Sequence, residues 1–169
     1  MEKLFVNCYE KDRAVMKEFY RYFFFLRPLN VVAYVLLGIA FVFALVLLIL
    51  GIGVQVAVFT LGFVPFWVGL RVVSYVSTVN AAVKRNQELF GETVNAELYV
   101  TEEGIEDMAP TGALTKMDYS VFKQAYRTKN LLLLRTKTKL VMIFRRDSFT
   151  VGTEADFVQF LQGKGIQIK

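Results

Sequence analysis

The side chains best suited to binding chemistry are lysines and arginines in the C-terminal half of the sequence. Between Asp118 and Asp147 there is no acidic residue, and eight residues are basic. The sequence RTKTK in this region is typical of a hairpin turn that follows a strand. Cations on such a turn could bind an anionic lipid surface, at about 1 kcal/mol for each well-placed side chain, or an unidentified protein partner. The candidate lipid- or partner-binding residues are Arg135, Lys137, Lys139, Arg145 and Arg146.

A solvated rim of a sheet is the alternative interpretation of these cations. Segment 93–169 contains 11 basic and 9 acidic residues, so its net charge is only +2. That charge is small for a surface that acts by long-range attraction. No recognised nucleic-acid-binding motif accompanies the cations, and we therefore expect no nucleic-acid partner.

Residues that could catalyse a reaction are few. The chain has no histidine and one cysteine, Cys8, so it cannot form a Cys/His zinc site or a Cys–His nucleophile. We interpret Cys8 as a small apolar residue of a strand. One acidic group is present: Glu102, Glu103, Glu106 and Asp107. It could in principle hold Mg²⁺, but a solvated turn is the simpler interpretation. We predict a protein that is not an enzyme and has no cofactor or metal.

Two long apolar segments precede the basic region. Residues 28–70 contain no Asp, Glu, Lys or Arg, and Gly51 and Gly53 divide this stretch into halves of about 20 residues. At about 1.5 Å per residue, each half would cross a hydrocarbon core of roughly 30 Å. A buried hairpin of a soluble protein is the alternative, but neither half has the polar face that a soluble helix needs. The pattern predicts a transmembrane helical hairpin.

The positive charges flanking this hairpin predict its orientation. Its turn carries no basic residue, and nine basic residues flank the two spans: Lys3, Lys11, Arg13, Lys17, Arg21, Arg27, Arg71, Lys84 and Arg85. The positive-inside rule therefore places both termini in the cytoplasm. We predict a multi-pass protein of the bacterial cytoplasmic membrane, with the lipid bilayer as its first partner.

An aromatic run, EFYRYFFFLRPLN at residues 18–30, leads into the first span. Rings and arginines together suit the headgroup zone, where amphipathic rings and long cationic side chains are favoured. Pro28 is expected in the first turn of the span, where its missing N–H costs little. We predict that this run forms a collar at the membrane surface.

Alternating apolar residues after the hairpin predict a small antiparallel β-domain. The expected strands are 95–101, 105–109, 113–117, 122–127, 131–135 and 140–145, with one more at 4–9 that could join the same sheet. Thr153 and Asp156 resemble a capping box that begins a final helix, which Gly163 ends. The predicted fold is an α+β membrane protein with a barrel-like, pleckstrin-homology-like cytoplasmic domain capped by a C-terminal helix.

The expected organisation along the chain has five parts. They are an N-terminal strand and juxtamembrane helix (1–27), a first span (28–50), an external turn (51–53), a second span with a cytoplasmic extension (54–91) and the β-rich domain (92–169). This order of parts resembles the YcxB-like family of bacterial membrane proteins. Three segments carry the resemblance: Thr101–Ile105, Asp118–Phe122 and Arg145–Phe149. The resemblance implies a membrane-anchored domain of pleckstrin-homology-like type and no known activity.

We therefore predict a membrane protein that presents its cytoplasmic domain to a protein or to anionic lipid. The alternative is a membrane subunit of a transport assembly, with Gln55 and Pro65 as the positions of interest. The spans carry no ionisable residue, although transporters usually keep one in the membrane. The sequence leaves the oligomeric state and the identity of a protein partner open.

Overall fold

The computed structural model describes residues 2–91, 95–108 and 112–169, which form two units. The helical unit is Tyr20–Ala82, and the sheet unit combines Met1–Phe19 with Val83–Lys169. The helices are α1 (Arg13–Arg21), α2 (Pro28–Ile49), α3 (Val54–Phe90) and α4 (Glu154–Gly163). The strands are β1 (Phe5–Glu10), β2 (Asn95–Val100), β3 (Gly104–Met108), β4 (Leu114–Asp118), β5 (Phe122–Arg127), β6 (Leu131–Thr136), β7 (Val141–Arg145), β8 (Phe149–Val151) and β9 (Gln167–Ile168).

Two helices, α2 and α3, are long and apolar enough to cross a membrane. Gly51 adopts a left-handed φ of 69°, which lets it donate its N–H to Leu48 O at 3.2 Å while Ile52 donates to Leu47 O at 3.0 Å. This pair of bonds satisfies the last carbonyls of α2 and turns the chain into α3. The predicted helical pair and its glycine turn are confirmed, as is the extension of α3 almost to Gly91.

The chain changes helical geometry just before α2. Residues Tyr22–Leu26 form a π-helical turn, and Arg27 donates its N–H to Tyr22 O at 3.1 Å. Proline disfavours a helical conformation in the preceding residue, and Arg27 accordingly has a ψ of 139°. Pro28 is the first residue of α2, as predicted. Asn30 then donates its side-chain amide to Phe23 O at 2.8 Å and Phe24 O at 3.0 Å, which satisfies two carbonyls freed by the break.

The strands form two open sheets. The first has the order β4-β3-β2-β1-β8 and the second β7-β6-β5-β9. The expected N-terminal strand is β1, which lies inside the first sheet between β2 and β8. Two short strands, β8 and β9, were not predicted, and β9 pairs with β5 in parallel, so the sheets are not a purely antiparallel meander. The predicted strand end at Ala109 and the predicted boundary at residue 92 lie outside the described residues.

One face of β1 holds the two sheets together. Asn7 is fully buried, donates its amide to Arg145 O at 2.7 Å and accepts the Arg145 N–H at 3.0 Å. Two residues further on, Tyr9 donates its hydroxyl to Ile143 O at 2.7 Å. Because alternate residues of a strand share a face, these side chains extend from β1 along the free edge of β7. They bond backbone groups that the second sheet leaves unpaired.

The C-terminal helix covers the same face of β1. Phe157 of α4 is fully buried and lies 4.8 Å from Phe144 of β7 and 5.4 Å from Phe5 of β1, between ring centroids. Thr153 caps the helix by accepting the Asp156 N–H at 3.2 Å, and its hydroxyl donates to the Asp156 carboxylate at 2.7 Å. The predicted cap is therefore confirmed.

Segments Thr101–Ile105 and Asp118–Phe122 meet where β3 pairs with β4. Tyr119 donates its hydroxyl to Thr101 O at 2.6 Å, so the two segments contact each other directly. Gly104 is required at this contact because a Cβ there would lie 2.5 Å from Met117 O. Burial, aided by the negative charges of Glu102 and Asp118, raises the pKa of the Tyr119 phenol. This hydroxyl therefore stays protonated as a donor.

Candidate functional site

The basic turn, residues 136–140, connects β6 and β7. Lys139 donates its N–H to Thr136 O at 3.1 Å, and Thr136 donates its N–H to Leu140 O at 2.8 Å. Lys139 has a φ of 72°, the left-handed conformation in which hairpin loops of this kind usually place glycine. Lys137 donates its N–H to Val121 O at 2.9 Å, which fixes the turn against the start of β5.

The surface around this turn combines cations with exposed apolar side chains. Lys137 and Lys139 are exposed, and neither has a carboxylate within 4.0 Å in the described part of the chain. Leu140 is 60% exposed and Val121 is 37% exposed. Arg135, at the end of β6, is partly buried and places Nη1 3.5 Å from the Tyr126 hydroxyl. The turn therefore presents both charge and apolar surface to its surroundings.

The other two predicted residues form internal contacts at the opposite end of the second sheet. Arg145 donates Nε to Asp147 Oδ1 at 2.9 Å. Arg146 donates Nε to Glu154 Oε1 at 2.7 Å and Nη1 to the carbonyls of Thr128 and Lys129. Arg146 thereby joins α4 to the turn between β5 and β6. The five predicted residues do not form one cluster. Strand β7 runs from the basic turn to Arg145, so Arg145 and Arg146 lie at the opposite end of the hairpin.

The end of β6 farther from the basic turn is bound to α1 by a single carboxylate, Glu18. It accepts hydrogen bonds from the Thr128 hydroxyl at 2.6 Å and from the backbone and side-chain amides of Asn130, both at 2.7 Å. Partial burial alone would raise the pKa of Glu18, but these hydrogen bonds outweigh it and lower the pKa below its ordinary value. The sequence offered no local signal for this contact, because the partners are 110 residues apart or more.

The acidic residues near β3 are separated by their ion pairs. Glu102 contacts Lys164 Nζ at 3.1 Å, and Glu103 contacts Lys116 Nζ at 2.6 Å. Within residues 2–91, 95–108 and 112–169, no group of three or more His, Cys, Asp or Glu side chains could hold a metal ion. Cys8 lies in β1, as predicted, and is partly buried.

Comparison of the chain with protein-family models, with curated proteins and with solved structures finds no match. The resemblance to the YcxB-like family stays a prediction from the sequence.

Proposed function

We propose that the chain is a non-enzymatic integral membrane protein of YcxB-like type, whose pleckstrin-homology-like domain binds anionic lipid headgroups through its basic turn. Its compartment is the bacterial cytoplasmic membrane, with both termini in the cytoplasm. The residues that carry the binding are Arg135, Lys137 and Lys139. Arg145 and Arg146 support the fold of the domain instead, because their guanidinium groups are held by Asp147 and Glu154.

The surface of the helical pair supports its insertion in a bilayer. Ala44 is the one buried residue of α2, and α3 buries only Ala57, Val64 and Val79. Large side chains such as Phe43 and Phe59 are 60% and 70% exposed. Soluble monomers rarely expose apolar patches larger than several hundred Å², whereas lipid tails solvate such a surface.

The pairing of β1 with β2 supports a hairpin topology. β1 precedes α2 and β2 follows α3, yet their residues are directly hydrogen-bonded partners, such as Phe5 with Val100. Two segments of one sheet must lie on the same side of any bilayer that the intervening helices cross. An even number of crossings follows, and the flanking arginines and lysines favour the cytoplasmic side.

The observation that carries the binding proposal is the backbone strain at Lys139. A non-glycine residue at a left-handed φ costs of order 1 kcal/mol, and here a lysine occupies the position where glycine would be relaxed. Lys137 and Lys139 flank an exposed tip beside Leu140 and Val121. Cations next to apolar side chains suit the boundary between headgroups and acyl chains, which favours lipid over an acidic protein.

The test uses the full chain, because a fragment beginning at residue 92 would lack β1 and leave the first sheet without its inner strand. Protein held in phosphatidylcholine nanodiscs is mixed with sucrose-loaded vesicles that contain phosphatidylglycerol, and sedimented protein is measured. We expect binding that weakens with salt and falls at least about tenfold when Lys137→Glu and Lys139→Glu are combined.

Lys129→Glu is the control for a charge reversal elsewhere in the same domain, because this exposed lysine lies at the other end of β6. It is compared with Lys137→Glu and Lys139→Glu made singly, which change the net charge by the same amount. Lys129→Glu should bind the vesicles nearly as the original protein does. Equal sedimentation with phosphatidylcholine vesicles, or unchanged binding in the double variant, would exclude a lipid site at the turn and leave an acidic protein as the remaining partner.

A further inference from the structure

The helical unit contains arginines but no acidic residue. Residues 20–82 contain Arg21, Arg27 and Arg71 but no Asp or Glu. No carboxylate within residues 20–82 can therefore pair with these guanidinium groups. Arg71 follows 17 residues of α3 and lies on the same helix as Trp67, one turn away.

Arg71 is held against aromatic rings. Its Cζ lies 5.1 Å from the centroid of Trp67 and 5.9 Å from that of Phe24, within the range of cation–π attraction. Its Nε is buried and, among the residues that the structure describes, it is the one buried side-chain nitrogen or oxygen without a hydrogen-bond partner. Arg71 as a whole is only partly buried.

The rings around Arg71 are fixed by the π-helical turn and its neighbours. Tyr34 lies 5.8 Å from Trp67 and 6.0 Å from Phe25, between ring centroids, and donates its hydroxyl to Phe24 O at 3.3 Å. Tyr75 of α3 lies 5.4 Å from Phe25. Arg27, which precedes α2, places its Cζ 5.4 Å from the ring of Phe23. The π-helical turn and α3 thus each supply one of the aromatic rings that contact the Arg71 guanidinium group.

We propose that Arg71 binds the phosphate of an anionic phospholipid at the base of the helical pair. A guanidinium group presents a planar fork of donors that matches phosphate geometry. Aromatic rings favour the same headgroup depth in a bilayer. A zwitterionic lipid carries its own ammonium group, so the acid-free unit favours a lipid with net negative charge. This inference rests on the proposed insertion of α2 and α3 in a membrane, and it is independent of the basic turn.

Trp67 provides the readout, because it is the sole tryptophan of the chain and contacts Arg71. Full-length protein is placed in nanodiscs whose lipid is brominated in the acyl chains of either phosphatidylglycerol or phosphatidylcholine, at equal mole fractions. Quenching of Trp67 then reports which lipid occupies the site. We expect phosphatidylglycerol to be preferred about fivefold. Arg71→Gln should abolish that preference, and Arg71→Lys should keep part of it.

Arg85→Gln is the matched control, since it removes the same charge from an exposed position of α3 and should leave the preference intact. Circular dichroism shows whether each variant keeps its helices. Equal quenching by both lipids in the original protein would overturn the site. Absence of quenching by either lipid would instead overturn membrane insertion. A change in Trp67 emission caused by inorganic phosphate in phosphatidylcholine nanodiscs, and lost in Arg71→Gln, would assign the site to free phosphate and overturn the lipid proposal.

Discussion

Single polar side chains form long-range contacts in this protein. Glu18 uses both carboxylate oxygens to bind the turn between β5 and β6. Asn30 satisfies two carbonyls of the π-helical turn. Each replaces backbone hydrogen bonds that regular structure cannot supply at that point, and buried or half-buried polar groups without partners are costly. Glu18 therefore attaches α1 to the sheet unit's β5–β6 turn, and Asn30 stabilises the break in the helix just before α2.

Glu18 predicts a specific dependence of stability on pH. Its pKa in the folded protein lies below the ordinary value of 4.5, so its contribution is complete above that value and is lost as the pH falls through the folded pKa. We expect Glu18→Gln to lower the free energy of unfolding by about 1 kcal/mol at neutral pH. The gap to the original protein should shrink below about pH 4.5.

Thermal unfolding of the protein in mild detergent, followed by circular dichroism from pH 7 to pH 3, measures this gap. Glu10→Gln is the control, because Glu10 is exposed at the end of β1. A constant gap between Glu18→Gln and the original protein across the acid range would contradict a charge-dependent role for Glu18.

The residues of the candidate site were only partly predictable. The charge and exposure of Lys137 and Lys139 followed from the turn sequence RTKTK. The internal pairing of Arg146 with Glu154 did not, because it depends on where α4 begins relative to β7. Arg71 was visible as a cation after the apolar stretch, but one of its two aromatic neighbours, Phe24, comes from a turn more than 40 residues away.

At the scale of elements, β1 joins the two sheets through two kinds of hydrogen bond. Backbone bonds run along its edges, and side-chain bonds extend from one of its faces. Its backbone pairs with β2 and β8, while Asn7 and Tyr9 bind the backbone of β7 through their side chains. Asn7 makes a bond with both the N–H and the C=O of Arg145, as a neighbouring strand would. The free edge of β7 is thereby covered and protected from pairing with another chain.

Asn7→Ala should destabilise the sheet unit by about 2–3 kcal/mol, because it removes two hydrogen bonds and leaves a buried N–H and C=O unpaired. Tyr9→Phe should cost about 1 kcal/mol, since it removes one bond. Thermal unfolding of both variants is compared with Cys8→Ala, which changes the opposite face of β1. Equal losses in Asn7→Ala and Cys8→Ala would show that the side-chain link to β7 does not stabilise the unit.

The long elements were predictable, and the short ones were not. Composition, Pro28 and the glycines at 51 and 53 located α2 and α3 to within a residue. Strand β8 has three residues and β9 has two, which is too short for alternation to be visible. The π-helical turn forms where a helical aromatic run meets Pro28, which disfavours a helical conformation in the residue before it. The sequence shows both features, but it does not show which backbone geometry results from them.

For the whole molecule, the central prediction is that residues 51–53 lie outside the cell and that the sheet unit lies inside. In a Cys8→Ser background, Ile52→Cys should react with an impermeant maleimide in intact cells, since Ile52 is 59% exposed at the turn. Lys84→Cys should react only after permeabilisation. Ile52 is a better position than Gly53, whose φ of 59° would strain any other residue.

Mass spectrometry of the labelled protein provides the measurement. Detergent-solubilised samples, in which both cysteines should react fully, serve as the control for intrinsic reactivity. Labelling of Lys84→Cys alone in intact cells would reverse the orientation. Labelling of both from outside would contradict a hairpin that crosses the membrane.

The position of β1 also determines the order in which the protein can mature. This strand leaves the ribosome well before its partner β2, which begins 90 residues after β1 does, with both apolar helices in between. At about 5–20 residues per second, synthesis of that interval takes roughly 5–20 s. During that time β1 has no β2 to pair with. Contacts between residues so far apart in the sequence also form slowly. Both apolar helices are therefore synthesised before the sheet can be completed, and a chain stalled within α3 would expose β1 to capture by chaperones or to aggregation.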